Sequence, residues 1–286
     1  LPALAFLDNS SLRSGGGAPL PLRAMTSSPA APAAAIAADH ALAHLLASQA
    51  GQLLVDLRAK LHAEGVEGKE LKDAGDMAAH NHLMEALRTE RPNDAVLSEE
   101  GKDDKARLDA ERTWIIDPLD GTREFSEPPR DDWAVHVALV IDGQPVAGAV
   151  ALPAQGITLS THTKRLAPGA PGDPLRFVAS RTRPGPSADL LVDHLGATMI
   201  PMGSAGAKTM AVVQGRADIY AHTGGQYEWD SCAPVAVANA AGLHTSRIDG
   251  SPLVYNNDDV YLPDLLVCRT ELADQVLTIL ANLADA

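Results

Sequence analysis

The sequence carries only two cysteines, Cys232 and Cys268, in 286 residues. Two cysteines build neither a disulfide framework nor a metal cluster. Each reads as a small apolar filler, and a reducing cytoplasm suits the chain. Basic residues are also scarce: 23 Lys and Arg against 37 Asp and Glu leave a formal net charge of −14. A nucleic-acid polymer needs a basic face that replaces its counterions, so this balance argues against that partner. A small phosphorylated ligand stays open, because a bound divalent cation reverses the local field. Long apolar runs are missing too. Nothing approaches the ~20 continuous apolar residues of a membrane helix. The short run from Leu1 to Leu7, with no basic region before it and Asp8 after it, is a poor secretory signal. There is no internal repeat.

What is present is 45% hydrophobic and 21% charged, the balance of a soluble globular protein with a large core. Residues 1–35 differ from the rest. Leu1 to Arg23 mixes Pro, Gly and Ser without periodicity, so this part is expected to be a disordered tail or an added extension, with Met25 as a native start. From Ile36 to about Leu61, Leu42, Leu45, Leu46, Leu53, Leu54 and Leu57 recur at helical spacing. His40 and His44 lie one turn apart on that helix and, lacking a third ligand, read as solvated surface. A second helix is expected over Ala74–Arg88. Strands follow, one ending at Ser98 and others over Thr113–Asp117, Ala134–Ile141 and Pro145–Leu152, the last two joined by a hairpin at Asp142-Gly143-Gln144. Lys164 to Pro174 is rich in Pro and Gly and reads as a connection. Past it come strands at Leu175–Ala179 and Thr198–Pro201, and helices near Ser187–Leu195, Ala205–Gln214, Val235–Ala241 and Ala273–Ala284. The pattern is α/β, with a domain connection near residue 170 dividing it into 36–170 and 171–286.

The most informative stretch is Trp114-Ile115-Ile116-Asp117-Pro118-Leu119-Asp120-Gly121-Thr122. The apolar residues read as a buried strand end. Pro118 cannot continue a sheet ladder, so the chain is expected to turn sharply there and aim Asp117 and Asp120 into one crevice. Hard oxygen donors gathered at one point suit Mg²⁺ rather than Zn²⁺. The competing reading is a plain hairpin turn at Asp120-Gly121. Two other acidic segments weigh against the turn. Val96 to Gly101 is a second apolar run that ends in Glu99 and Glu100, and Glu228-Trp229-Asp230 precedes a helical run. Asp230 falls where a helix begins, a place where Asp caps amides or serves as a ligand.

These three segments, in this order, resemble the signature of the Mg²⁺-dependent, lithium-sensitive phosphatase superfamily that includes inositol monophosphatase. The resemblance runs from about Ile36 to the C-terminus. It implies a layered αβαβα sandwich, in which an antiparallel first sheet precedes a second α/β unit. After Asp-Gly-Thr the chain continues Arg123-Glu124-Phe125 and later Arg130 to His136, which resembles the 3′(2′),5′-bisphosphate nucleotidases of the actinobacterial CysQ type. The resemblance therefore implies removal of the 3′-phosphate from 3′-phosphoadenosine 5′-phosphate in sulfate assimilation, with the 5′-phosphosulfate relative as a further candidate. The alternatives are an inositol monophosphatase or fructose-1,6-bisphosphatase, and a non-enzymatic regulatory protein of the same fold. Retention of the whole acidic set argues against the last.

By the same resemblance, one Mg²⁺ falls to Glu99, Asp117 and the backbone carbonyl of Leu119, and a second to Asp117, Asp120 and Asp230, with two or three ions per site in all. Thr122 is expected to orient the attacking water with Asp76 behind it. Asp73 competes for that role, because Lys72-Asp73-Ala74-Gly75-Asp76 departs from the family's usual Pro-Val-Thr lead. Glu100 is expected to be exposed. The segment Gly203 to Thr209 is not a P-loop, since Ala207 stands where Gly must precede Lys208. It reads instead as a helix start whose amides and Ser204 bind an anion. Substrate contacts are expected at Gly121, Thr122, Ser180, Arg183, Ser204, Lys208 and His222. Family habit also admits a homodimer.

Overall fold

A computed structural model describes residues 30–162 and 169–284 of the chain. Residues 1–29 of the expected 1–35 tail, with the start at Met25, and residues 163–168 of the Pro- and Gly-rich connection lie outside the described residues; residues 30–35 belong to a helix and not to a tail.

Two long helices open the fold, α1 (Ala30–Ala63) and α2 (Gly68–Glu90). On α1, Leu42, Ala43, Leu46, Ala47, Ala50 and Leu54 are buried along one stripe, as helical spacing dictates. On α2 the buried stripe is Leu71, Gly75, Ala79, Leu83 and Leu87, one residue per turn. The helix begins six residues before the expected Ala74, because Leu71 is the one apolar residue among Gly68 to Asp73 and the next stripe positions are Gly75 and Ala79. His44 is exposed as expected, whereas His40 is half-buried with Nδ1 2.5 Å from Thr161 Oγ1.

The first sheet is ordered β1 (Ala95–Ser98), β2 (Arg112–Asp120), β3 (Ala134–Ile141), β4 (Gln144–Leu152) and β5 (Ile157–Ser160). It is mixed rather than antiparallel throughout, since β1 runs parallel to β2. A one-turn helix, α3 (Thr122–Phe125), follows β2 directly, so Asp120-Gly121 does not form a hairpin. The expected break at Pro118 is also absent: β2 continues to Asp120, pairing Asp117 with His136 and Asp120 with Ala134, with a register shift between them. A bulge leaves Pro118 outside the ladder, which is how a sheet tolerates proline. The β3–β4 hairpin turns at Asp142 and Gly143, both with positive φ.

The second sheet contains β6 (Arg176–Ser180), β7 (Thr198–Met202), β8 (Ile219–His222), β10 (His244–Ser246) and β12 (Leu265–Cys268), in the order β10-β12-β8-β6-β7. A small ribbon pairs β9 (Gln226–Tyr227) with β11 (Tyr261–Leu262). Four helices complete the unit: α4 (Pro186–Leu195), α5 (Ala205–Val213), α6 (Glu228–Ala241) and α7 (Ala273–Ala284). α6 starts seven residues before the expected Val235 and carries Pro234 inside it.

Strand alternation sorts these elements into five layers. Trp114, Ile116, Val135, Val137 and Leu139 point towards α1 and α2. Their neighbours Ile115, Ala134, Ala138 and Val140 point the other way, onto Met210 and Val212 of α5 and Cys232, Ala233 and Val237 of α6. The inner face of the second sheet, through Val178, Tyr220, Leu265 and Val267, closes on the same two helices. Phe177, Ile219 and Leu266 face outward to α4 and α7. The helix pair α5 and α6 is thus a filling between two sheets. Both cysteines are buried and unpaired.

Candidate metal centre

The strand alternation that places Ile115 against the middle helices places Asp117 on the same face. Its cross-strand partner His136 shares that face with Ala134 and Ala138. Asp117 is buried, and its Oδ1 accepts the backbone N–H of Leu119 at 3.0 Å. That contact tightens the bulge and brings Asp120 back onto the inner face. Asp117 Oδ2 is buried with no hydrogen-bond partner.

Asp120 reaches α5. Its Oδ2 accepts Ser204 Oγ–H at 2.5 Å and the Gly206 N–H at 2.7 Å, and lies 3.2 Å from His136 Nε2. Ser204 is the N-cap of α5, and its Oγ accepts the Ala207 N–H. The anion at this helix start is therefore the chain's own Asp120. Lys208, one turn on, is buried and donates to the carbonyls of Gly203 and Ser204, with its ammonium 5.3 Å from the Tyr220 ring centre.

Asp230 is the third residue of α6, and its Oδ2 accepts the Tyr227 N–H at 2.6 Å. This is the use of a first-turn carboxylate that satisfies a free helix amide. Glu99 follows β1, and its backbone N–H donates to Ile116 O. The residue as a whole is exposed, its charge acts on Asp117, and the charge of Glu100 acts on Asp76. Gly121 caps α3 with φ +85°; a Cβ there would meet Ser204 Cβ at 3.1 Å. Beside it the Thr122 hydroxyl lies 3.1 Å from Leu119 O and 3.5 Å from Asp76 Oδ1. Asp73 faces away and pairs with Lys69.

The remaining expected contacts lie on the second unit. Ser180 Oγ ends β6 and accepts the backbone N–H of the exposed Arg183 at 3.2 Å. His222 closes its own loop, with Nε2 2.9 Å from Gly225 O, and burial pulls its pKa down.

The electrostatics record crowding. Burial, then the charges of Glu99 and Asp120, push Asp117 well above the usual carboxylate range. Burial and the neighbouring carboxylates raise Glu99 to about 7 and Asp230 to about 6. Asp76 rises to about 7 through burial and the charge of Glu100. Asp120 goes the other way: burial works against its charge, but His136, Lys208 and Ser204 outweigh it and hold the carboxyl at about 2. His136 is raised, since Asp120 more than offsets the burial that favours a neutral ring.

Such a cluster fits a hard divalent cation. Its donors are carboxylate oxygens, one of them a buried atom without a partner, and a bound cation would relieve the repulsion that raises these carboxyls. Ligand atoms of Asp117, Asp120 and His136 also lie within 4.8 Å of one another.

Fold and site together define a class: an αβαβα sandwich whose middle layer holds a buried, oxygen-rich metal crevice. The chain belongs to the metal-dependent inositol monophosphatase family, whose model matches residues 36–171 and 175–282. It is 52% identical over 242 residues to the 3′-phosphoadenosine 5′-phosphate phosphatase of Mycobacterium tuberculosis, covering 82% of this chain and 90% of that protein. Against the 3′(2′),5′-bisphosphate nucleotidase CysQ of Escherichia coli K12 the identity is 31% over 200 residues, covering 66% of this chain and 81% of that one. Among solved structures, CysQ from Bacteroides thetaiotaomicron superposes with a TM-score of 0.68 at 26% identity, over 82% of this chain and 97% of that chain.

Two features of the site escaped the sequence reading. In the sequence His136 enters only as the end of the Arg130 to His136 segment that resembles the nucleotidase branch, with no role in the site. Glu124 was read as a mark of the nucleotidase branch alone. In the structure it is buried and accepts Arg181 Nε–H at 2.6 Å, tying α3 to the end of β6.

Proposed function

We propose that the chain is a Mg²⁺-dependent phosphatase that hydrolyses the 3′-phosphate of 3′-phosphoadenosine 5′-phosphate, giving AMP and phosphate, and acts on the 5′-phosphosulfate relative in the same way. The observation that supports the chemistry is the convergence of Asp117, Asp120 and Asp230 on one buried face with Glu99 at its rim. The choice of branch rests on the 52% identity to a protein named for this substrate. Glu99, Asp117, Asp120, Asp230 and the carbonyl of Leu119 would hold two or three ions. Bound Mg²⁺ would supply activation of water and neutralisation of the phosphate and departing oxygen.

The chain's own residues then have defined tasks. Thr122 Oγ, held between Leu119 O and Asp76 Oδ1, orients the attacking water and passes its proton towards Asp76. An Asp76 carboxyl raised to about 7 is matched to accepting that proton near neutrality. Gly121 takes the left-handed φ that turns β2 into α3 beneath Ser204, and its backbone contacts the phosphate on this reading. On this reading Ser180, Arg183 and His222 of the second unit contact the nucleotide, and Ser204 and Lys208 hold the helix start that backs Asp120. The division into units 36–170 and 171–286 puts Asp230 and the nucleotide contacts on the second unit. We place the reaction in the cytoplasm, where two buried, unpaired cysteines suit a reducing compartment; a homodimer rests on family habit alone.

The test is phosphate release by the purified protein with Mg²⁺ on 3′-phosphoadenosine 5′-phosphate, inositol 1-phosphate and fructose 1,6-bisphosphate. The expected result is a kcat/KM highest for the nucleotide. Faster turnover of inositol 1-phosphate would overturn the substrate assignment and leave the phosphatase chemistry standing.

A further inference from the structure

His136 sits in the middle of β3 with no exposed surface. Every other strand residue on its face packs as an apolar side chain: Ala134, Ala138 and Val140. A valine would fill such a position without the desolvation cost of an imidazole. The ring's contacts explain its presence. Nδ1 lies 3.0 Å from the carbonyl of Trp229. A carbonyl can only accept, so Nδ1 carries the hydrogen. Trp229 directly precedes Asp230 in the first turn of α6. On the other side, Nε2 lies 3.2 Å from Asp120 Oδ2. One rigid ring therefore spans from the carboxylate on β2 to the backbone that carries the carboxylate on α6.

Gly206 supplies an independent sign that the ring's place is built in. A Cβ on Gly206 would fall 2.1 Å from His136 Nε2 and 3.0 Å from two ring carbons. Glycine is disfavoured within a helix relative to alanine. Its retention in the first turn of α5 gives the ring room, while the same residue's N–H donates to Asp120 Oδ2 at 2.7 Å. Strand β3, helix α5 and helix α6 thus meet at this imidazole.

We propose that His136 is a positioning residue that sets the spacing of Asp120 and Asp230, and that Gly206 exists to admit it. The inference rests on the metal-ligand roles given above to those two aspartates. His136 touches neither substrate nor reacting atoms; it acts through the carboxylates it holds apart.

The experiment measures Mn²⁺ binding to the metal-free protein by electron paramagnetic resonance or calorimetry, beside thermal stability and the kcat and KM of the Mg²⁺-loaded enzyme. Partners one step behind the metal commonly control 10–100-fold in affinity. We expect His136→Ala to weaken Mn²⁺ binding by roughly 10–100-fold and to lower kcat more than it raises KM. His136→Asn keeps a donor at the Nδ1 position and should recover part of the loss. Gly206→Ala, which drives the ring out, should weaken Mn²⁺ as His136→Ala does. The pair Gly206→Ala with His136→Ala should be no worse than His136→Ala alone.

Folded His136→Ala or His136→Asn protein with undiminished Mn²⁺ affinity would overturn the proposal, even if its melting temperature had fallen. Strict additivity in the double variant would do the same. Should His136→Ala fail to fold, the Asn and Gly206→Ala variants decide the matter alone. A wild-type protein that bound no divalent ion would overturn this inference and the functional reading together, whereas intact wild-type binding with indifferent variants would overturn only this one.

Discussion

At the scale of single residues, Asp120 has two jobs that pull a substitution in the same direction. It is a ligand in the proposed metal site, and it accepts the Ser204 hydroxyl and Gly206 amide that would otherwise be buried without partners. Its charge is favoured in the fold, since its carboxyl is held at about 2. Asp120→Asn keeps an acceptor oxygen for these bonds but loses the charge that His136 and Lys208 favour; it should lower turnover by at least about 100-fold and destabilise the protein by roughly 1–3 kcal/mol. Steady-state kinetics and chemical denaturation check the two halves separately. An active Asp120→Asn enzyme would remove Asp120 from the metal site. Asp76 and Asp73 give a cleaner contrast. Asp76 faces Thr122, and Asp73 is an exposed partner of Lys69. Asp76→Asn is predicted to reduce kcat by about 100-fold with Mn²⁺ affinity unchanged, and Asp73→Asn to change neither. The reverse ranking would mean that the proton passes to the other carboxylate.

At the scale of elements, the sheets and helices work as spacers for these residues. Gly148 of β4 lies under α6, where an added Cβ would approach Ala236 Cβ to 2.8 Å. Gly148→Ala should cost about 1–3 kcal/mol by overpacking, and because α6 carries Asp230 it should weaken metal binding as well. A lowered melting temperature with unchanged Mn²⁺ affinity would show that α6 does not transmit the strain.

How much of this was legible depends on whether the cause was local. The strand Ala134–Ile141 and the helix Ala273–Ala284 carry dense apolar patterns, and both formed over the expected residues. Pro118 misled because its rule concerns a regular ladder, whereas the β2–β3 pairing absorbs it in a bulge that only the neighbouring strand makes visible. Asp230 marked the start of α6, but the periodic run is legible only from Val235 because Trp229 is a weaker helix former and Pro234 a breaker; the helix is held there by burial and by Asp230 satisfying the Tyr227 amide. The acidic residues were found because three acidic segments in one order resemble a family signature, which outweighs the competing turn reading of any one of them. His136 was missed because its partners lie 16 residues back and 93 residues ahead in the chain.

At the scale of the whole molecule, the crowded carboxylates make stability depend on pH. Glu99 and Asp76 titrate at about 7 and Asp230 at about 6 in the folded protein, above their ordinary 4.5 and 3.8. Protons therefore favour the fold. This contribution is complete below the ordinary values and is lost as pH rises through about 6 and about 7. Asp120 has the opposite sign, but its window lies between about 2 and 3.8, well below this range. The metal-free protein should lose at least roughly 2–4 °C in melting temperature over that rise, and saturating Mg²⁺ should abolish the loss by replacing protons with a cation. Differential scanning fluorimetry with chelator and with Mg²⁺ provides the check; a metal-free melting temperature that climbed with pH would contradict the crowding described here. Lithium should inhibit the Mg²⁺-loaded enzyme selectively, because a small ion of single charge occupies an oxygen-lined site while stabilising the departing oxygen poorly. Equal inhibition by Li⁺, Na⁺ and K⁺ at one ionic strength would reduce the effect to screening.

The middle layer has a consequence for how the gene can vary. From Gly206 to Val213 every residue of α5 is buried, because one side of the helix meets the first sheet and the other meets the second. The outer helices have a free side: Leu45 and Leu53 on α1 are exposed, as is Leu190 on α4. In a saturation-mutagenesis library selected for folded protein, accepted changes should accumulate on the outer helices and be nearly absent over residues 206–213. Adaptation to a new substrate would then have to proceed through the loops at the strand ends, with the core helix as its fixed inheritance.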